Sequence, residues 1–221
     1  MHVILRHTTN GSNKKRPEGF DRKTLFNAFM TTLTNETVHI VLDAKPGEPH
    51  FLYDTTNPLI VRNLGSDGAS MRFCLELASK LIGTVVFLED DYAVAPGWQA
   101  LVEDGLQFGS YVSLYDHPDK YSAAYKGLPS QIYKGSRHWR TVPSTTNSFA
   151  VRASTLMDDM EIHLQYADMD GQLKMQGRPS DHEKFLTLWT RGRQMLTCMP
   201  GAWSHEEMAM QTDVVGKSPT S

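Results

Sequence analysis

The chain is poor in cysteine: its 221 residues include 2, Cys74 and Cys198, which stand far apart with no C-x-x-C pair. A disulfide framework or a structural zinc site would need more cysteines, closely spaced. Both cysteines have apolar neighbours in the sequence. We therefore expect two buried thiols in a reducing compartment.

Positive charge and long apolar runs are also lacking. The net charge is −3, so no basic surplus is available to neutralise a nucleic-acid backbone. The apolar run Val85–Leu88 is far shorter than the ~20 residues of a membrane-spanning helix. The sequence begins Met1-His2-Val3, without the basic and apolar segments of a signal peptide. These absences favour a cytoplasmic protein with no transmembrane segment and no nucleic-acid partner.

What is present is an ordinary globular composition, with 40% hydrophobic and 21% charged residues. We see no repeat or linker, which predicts a single domain over residues 1–221. Four strands are predicted in the first half: His2–Arg6, His39–Asp43, Pro58–Arg62 and Thr84–Leu88. Helical patterns alternate with these strands, which predicts βαβ units and an α/β fold with a parallel sheet.

The second half has a different pattern. Three further strands are predicted: Tyr111–Tyr115, Ser148–Arg152 and Gln194–Cys198. Residues 116–147 show no clear period, which predicts a long loop that orders when a ligand binds. Asp181 is expected to cap a helix before the last strand. The polar residues 212–221 are expected to be frayed.

The densest chemical signal is the triplet Glu89-Asp90-Asp91, which directly follows an apolar strand. Three adjacent carboxylates at the end of a buried strand repel one another and lose hydration. A divalent cation would offset this cost, and Mg²⁺ or Mn²⁺ prefers oxygen ligands together with substrate phosphates. Ligands also bind at the carboxyl edge of a parallel sheet. A solvated acidic turn is the alternative.

With this triplet and the βαβ half, the chain resembles the GT-A glycosyltransferases, whose DxD motif has a Glu-Asp-Asp form in some N-acetylglucosaminyltransferases. The resemblance implies one GT-A domain with a Rossmann-like N-terminal half, a mixed central sheet and a Mn²⁺ or Mg²⁺ cofactor. The last acid of the motif binds the metal in this family, so Asp91 is the expected ligand and Glu89 or Asp90 faces the nucleoside. A histidine near the C-terminus often adds a ligand, which corresponds to His205; an ordinary histidine is the alternative.

The resemblance assigns the donor nucleotide to about residues 1–110. The family holds its nucleobase and ribose at the ends of the first two strands, and the segment Asn63–Gly68 precedes a helix whose free N–H groups suit an anion. The expected nucleotide-sugar contacts are Arg6, Thr8, Asp43, Gly65, Ser66, Gly68, Glu89 and Asp90. An ordinary helix cap is the alternative for Asn63–Gly68.

The acceptor is assigned to about residues 111–207. The segment around Asn147 resembles the strand that lines the donor sugar and the acceptor. Tyr115 and Trp139 belong to an aromatic-rich stretch that suits stacking on a sugar, or else packing along a loop. Inverting members keep a catalytic base at a helix start, which corresponds to Asp181, with Glu183 as the second choice. A plain helix cap is the alternative role for Asp181.

The implied function is inverting transfer of a sugar from a nucleotide-diphospho-sugar, most simply a UDP-sugar, to a hydroxyl of a glycan acceptor. A second interpretation is a nucleotidyltransferase that makes sugar nucleotides. Such enzymes have a glycine-rich first loop with basic residues, which Asn10–Arg16 matches poorly. A third is a non-catalytic carbohydrate-binding protein that uses the aromatic stretch and needs neither the triplet nor Asp181.

Overall fold

The computed structural model describes residues 1–9, 15–121, 130–143 and 146–207. Its elements in chain order are β1 (His2–Thr8), α1 (Arg22–Thr31), β2 (Thr37–Asp43), β3 (Leu59–Arg62), α2 (Asp67–Ala78), β4 (Thr84–Glu89), β5 (Tyr92–Val94), α3 (Trp98–Gly105), β6 (Tyr111–Ser113), β7 (Ile132–Lys134), β8 (His138–Val142), β9 (Phe149–Arg152), α4 (Ala153–Asp158), α5 (Met160–Asp168), α6 (Asp170–Met175), α7 (Ser180–Thr190), β10 (Met195–Met199) and β11 (Trp203–His205). Short 3₁₀ helices cover Phe51–Asp54 and Pro118–Tyr121. A nine-stranded mixed sheet has the order β3-β2-β1-β4-β9-β6-β10-β8-β7. The α/β class is therefore confirmed.

The first four strands of the chain are parallel neighbours in the order β3-β2-β1-β4, as predicted. Leu5 of β1 is level with Ile40 of β2 and with Leu88 of β4. Parallel strands end at the same edge of a sheet, which is where such sheets bind ligands. The carboxyl ends of β1, β2 and β4 therefore meet at one edge.

Successive residues of these strands enter two different cores. Val3 and Leu5 pack on the side of α1 and α3, whereas Ile4 packs on the side of α2, α5 and α7. A strand that is buried on both faces appears in the sequence as a continuous apolar run, which explains why β4 was predictable. Cys74 and Cys198 are both buried and free, as expected.

The sheet changes direction at β9, which is antiparallel to β4 on one side and to β6 on the other. Part of the predicted loop 116–147 is in fact a hairpin, because β7 pairs antiparallel with β8. β7 is a strand of 3 residues with Ile132 exposed, so it has no alternating pattern to detect. Residues 122–129 and 144–145 lie outside the described residues, and the ordering of this loop on ligand binding stays a prediction.

The helices α1, α2, α3 and α7 occur where periodicity predicts them, and Asp21 caps α1 by accepting the Thr24 N–H. The prediction that Asp181 caps α7 is wrong, because α7 begins at Ser180 and Asp181 lies in its first turn. The short helices α4, α5 and α6 have too few turns to show a clear period and were not predicted. In the described ranges, no helix combines the length and apolar character that a membrane crossing requires. The tail 212–221 lies outside those ranges.

Gly68 lies where α2 packs on α5 and α6, and it is the basis of a stability test. A Cβ at this position would lie 2.2 Å from the backbone oxygen of Ala167 and 2.9 Å from the Cβ of Asp170. We expect Gly68→Ala to lower the free energy of unfolding by about 1–3 kcal/mol, the usual cost of overpacking, as measured by thermal unfolding.

Gly171→Ala in α6 is the matched control. Nothing lies within 4 Å of a Cβ at Gly171, and alanine stabilises a helix by about 1 kcal/mol relative to glycine. Similar melting temperatures for the two variants would contradict the close contact between α2 and α5.

Candidate functional site

A cleft lies at the carboxyl edge of the parallel strands and encloses about 530 Å³ of space open to solvent. Its lining is strongly charged and consists of Arg6, Thr8, Arg16, Arg22, Asp43, Asp67, Ser70, Glu89, Asp90 and Asp91. Most of the expected nucleotide-binding and metal-binding residues are therefore brought together in one place.

Each carboxylate of the acidic triplet has an arginine partner. The pairs are Arg6 with Glu89, Arg22 Nε with Asp90 Oδ2 at 3.0 Å, and Arg16 Nη1 with Asp91 Oδ2 at 2.9 Å. Asp90 and Asp91 are 8% and 5% exposed, which excludes a solvated acidic turn. Buried carboxylates need paired charges. Here guanidinium groups supply that compensation, a solution that the sequence analysis did not anticipate.

Backbone hydrogen bonds fix the triplet in place. The Thr8 N–H donates to Asp90 Oδ2 at 3.2 Å, and the Glu89 N–H donates to the Ser148 hydroxyl at 3.2 Å. Burial raises the pKa of Asp90 to about 6, although the nearby Arg22 opposes this shift. The triplet is thus held rigidly by three separate parts of the chain.

Asp91 meets His205 because β5 and β11 form a small antiparallel ribbon in which Tyr92 is opposite His205. His205 Nε2 lies 3.0 Å from Asp91 Oδ2, and the His205 ring stacks on Tyr92 with centroids 4.8 Å apart. The two expected metal ligands, 114 residues apart in sequence, are therefore adjacent in space.

This pair has the geometry for part of a metal centre. Among the residues that the structure describes, no three His, Cys, Asp or Glu side chains are grouped as a complete site. Adjacent ligands of an octahedral ion with bonds of about 2.1 Å are about 3 Å apart, which matches the separation of Asp91 Oδ2 and His205 Nε2. Such a pair suits an ion that completes its shell with water and phosphate. Arg16 contacts the same Asp91 oxygen, so an entering cation would displace it.

Asp43 ends β2 and forms part of the cleft wall. Its Oδ1 accepts the N–H groups of Leu64 at 2.7 Å and Gly65 at 3.3 Å. Gly65 has a φ of +76°, a left-handed conformation that favours glycine. Asp43 therefore shapes the turn before α2 while it also lines the cleft.

The next residues of that turn have local structural roles. Ser66 is the N-cap of α2 and its hydroxyl accepts the Ala69 N–H at 3.2 Å, as the helix-cap alternative states. Gly68 is buried against α5, so its role is helix packing and its expected nucleotide contact is corrected. The contacts of Gly65 and Ser66 with a nucleotide stay predictions. Their neighbours Asp67 and Ser70 line the cleft instead.

The two candidate bases differ in their surroundings. Glu183 pairs with Arg178 at 2.6 Å, and this hydrogen-bonded ion pair lowers the pKa of Glu183. For Asp181, burial raises the pKa and the nearby Lys184 opposes that shift. The Glu89 carboxylate is one of the charges that raise the pKa of Asp181. The ion pair that engages Glu183 makes Asp181 the stronger candidate of the two.

Lys184 itself is buried, and its Nζ donates to Asn147 Oδ1 at 3.1 Å. Asn147, an expected sugar contact, also lines a small cavity beside Arg6 and Glu89. The segment before β9 therefore reaches the edge of the cleft, as the sequence suggested, with Lys184 as an unforeseen neighbour.

The expectation that Tyr115 and Trp139 stack on an acceptor sugar is wrong. Both side chains have 0% exposure. Trp139 Nε1–H donates to Asp104 at 2.7 Å, and Tyr115 packs edge-on against Tyr92. The alternative of aromatic packing is correct for these two residues, because the strands beside them turn their rings into the core.

Sequence reasoning missed part of the cleft: Arg16, Arg22, Asp67, Ser70 and Lys184. The basic cluster ahead of Pro17 was visible in the sequence, and it could have indicated counter-charges for the triplet. Lys184 lies on the buried face of α7, and a lysine at a position of apolar periodicity is the signal that could have found it.

No protein-family model and no curated protein sequence matches the chain. In structure it is similar to the glycosyltransferase GlyE of Streptococcus pneumoniae TIGR4, in its apo form and in a second crystal structure, with a TM-score of 0.50 and 12% identity over 88% and 89% of this chain. Residues 1–349 of S. aureus TarS give a TM-score of 0.48 and 14% identity, covering 92% of this chain and 59% of that chain. The chain spans 44% of the length of GlyE. The similarity to GlyE concerns the fold, and it confirms the α/β fold expected of a nucleotide-diphospho-sugar transferase.

Lys184 makes the stability of the fold depend on pH. Burial lowers its pKa from 10.5 to about 8. Between these values the unfolded chain keeps a proton that the folded chain has released, so stability rises with pH. We expect the wild type to gain up to about 3 kcal/mol of unfolding free energy across this window relative to Lys184→Met. Urea unfolding of both proteins at several pH values measures this, and parallel pH curves would contradict it.

Proposed function

We propose that the chain is a metal-dependent glycosyltransferase that moves a sugar from a nucleotide-diphospho-sugar, with UDP as the nucleotide, to a hydroxyl of a glycan acceptor. The observation that carries the proposal is the contact between Asp91 and His205 at the carboxyl edge of the parallel strands. The fold similarity to the glycosyltransferase GlyE supports sugar transfer as the reaction class.

The charge of the cleft supports a metal-bound diphosphate. Its lining has five carboxylates and three arginines, so it is a poor site for a diphosphate anion alone. A divalent cation held by Asp91 and His205 would neutralise this excess of two negative charges. When bound, the cation acts as a Lewis acid that stabilises charge on the departing diphosphate. Arg16, displaced from Asp91, and Arg22 can then donate to phosphate oxygens.

The acceptor hydroxyl must lose its proton as its oxygen attacks the anomeric carbon. In the proposed scheme, the Asp181 carboxylate accepts this proton in a single displacement that inverts the configuration. The bond to the diphosphate breaks as the bond to the acceptor forms, through an oxocarbenium-like transition state. Asn147 lies at the edge of the same cleft, where an amide can hydrogen-bond to sugar hydroxyls.

A sugar-nucleotide-forming nucleotidyltransferase is the second candidate, and Arg16 is the observation that favours it. A basic residue from the loop after β1 reaches the acidic triplet, as a triphosphate-binding loop requires. Incubation with a nucleoside triphosphate and a sugar phosphate separates the two functions, because only this candidate releases pyrophosphate. The burial of Tyr115 and Trp139 removes the main support for a non-catalytic carbohydrate-binding protein.

Asp91→Asn tests the metal site. The change keeps the size of the side chain but removes the charge that holds the cation. We expect it to abolish the Mn²⁺-dependent stabilisation by UDP, which for the wild type is about 2.7 kcal/mol at 100 times Kd, and to leave the fold intact. Thermal shifts with UDP, with and without Mn²⁺, measure the effect. The exposed Asp54→Asn is the control, and a wild-type response in Asp91→Asn would refute the assignment.

Asp181→Asn tests the base. We expect turnover to fall by at least ~100-fold with donor affinity little changed, because only proton transfer is lost. Glu183→Gln is the matched comparison and should retain most activity, since Glu183 is engaged by Arg178. Steady-state kinetics with donor and acceptor measure both. The reverse result would make Glu183 the base, and two active variants would exclude the inverting mechanism.

A further inference from the structure

Lys184 is a lysine inside the core beside the cleft, and the proposed reaction gives it no role. Its side chain is 3% exposed. Its Nζ lies 5.2 Å from the ring centroid of Phe149 and 5.0 Å from that of Phe185. Lysine is almost never fully buried unless its charge is paired. The groups that pair with this ammonium therefore indicate what it does.

Asp181 is the charged neighbour of Lys184 on the same helix. It lies three residues before Lys184 on α7, and residues at this spacing are neighbours on a helix surface. Burial of Asp181 favours the protonated acid, whereas the Lys184 ammonium favours the carboxylate and is the leading charge that does so. A proton acceptor must be in the carboxylate form before the acceptor hydroxyl binds.

Asn147 is the hydrogen-bond partner across the cleft edge, with its Oδ1 3.1 Å from Lys184 Nζ. It lines a small cavity together with Arg6 and Glu89. The next residue, Ser148, accepts the Glu89 N–H. Lys184 thus connects the helix of the candidate base to the segment that borders the acidic triplet.

Other titratable groups face this pair from the surrounding elements. They are Arg6 of β1, Glu89 of β4, His163 of α5, Asp170 of α6 and His182 of α7. Glu89 raises the pKa of Asp181, and His182 lowers it less than Lys184 does. Removal of Lys184 therefore leaves the buried Asp181 with Glu89 as its main charged neighbour.

We propose that Lys184 is a positioning residue that couples the Asp181 carboxylate to Asn147. The proposal rests on the proposed function, in which Asp181 takes the acceptor proton. The ammonium favours the anionic form of Asp181, against the effect of burial, and holds Asn147 at the cleft edge. One side chain therefore affects both the candidate base and the candidate sugar contact. Lys184 does not itself exchange a proton with the substrate.

The pH profile of kcat distinguishes this role from packing. We expect Lys184→Met to move the acid limb of the kcat profile upward by about one pH unit, because loss of a nearby opposite charge raises a carboxyl pKa. The KM for the donor should stay within about threefold of the wild-type value. Lys184→Arg, which keeps the charge, should return the limb toward its wild-type position. Arg178→Met is the matched control, because Arg178 pairs with Glu183, and it should leave the limb in place.

An unmoved limb in Lys184→Met, or an equal shift in Arg178→Met, would overturn the proposal. A readout without turnover is the ¹³C titration of the Asp181 carboxyl, assigned with Asp181→Asn. If the wild type turns over no sugar nucleotide, the proposed function fails, but this titration still tests the coupling. The pKa of the Asp181 carboxyl should be higher in Lys184→Met than in the wild type. Identical titration curves for the two proteins would refute the coupling.

Asn147→Asp is the second variant in case Lys184→Met does not fold. It places a competing carboxylate at the Lys184 ammonium and a like charge near Asp181. We expect the pKa of the Asp181 carboxyl to rise in this variant as well. An unchanged Asp181 titration in Asn147→Asp would overturn the proposal independently.

Discussion

The repulsion among three adjacent buried carboxylates is the constraint on which the rest of the site depends. Glu89, Asp90 and Asp91 end a strand whose neighbours exclude water, and carboxylates in such a place must have counter-charges. The three arginines that supply them are Arg6 in β1, Arg16 in the segment before α1 and Arg22 at the start of α1. These ion pairs hold Arg16 and the start of α1 against the acidic triplet.

The same requirement ties distant parts of the chain together. Arg16 bridges the Asp91 carboxylate and the backbone oxygen of Glu206, and the Glu206 N–H donates to the backbone oxygen of Asp91 at 2.8 Å. The β5–β11 ribbon brings His205 to the same point. Asp91 thus contacts residues from the first and last parts of the described chain, through its carboxylate and through its backbone, and the candidate site forms only when both parts are folded.

The sequence predicted structure correctly in those segments where a single physical effect determines the residue pattern. β4 and the triplet were predictable because a strand buried on both faces is uniformly apolar and three adjacent acids are rare. The approach of His205 to Asp91 came from the family resemblance, since no local pattern brings residues that far apart together. Trp139 was misread because composition says nothing about which face of a strand points inward. The roles of Arg16 and Lys184 were not predicted, because charge pairing between distant residues produces no periodic pattern in the sequence.

The antiparallel pairing of β9 with β4 has a consequence for how the molecule can vary. Because β9 runs opposite to β4, its beginning lies beside the end of β4, with Phe149 opposite Phe87. The residues just before β9 are therefore anchored to the acidic triplet by the sheet and not by the segment that precedes them. The β7–β8 hairpin is held elsewhere, because β8 pairs with β10 and its Trp139 ring is fully buried. The start of β9 and the β7–β8 hairpin are therefore supported by different strands of one sheet, so a shift of one need not be transmitted to the other.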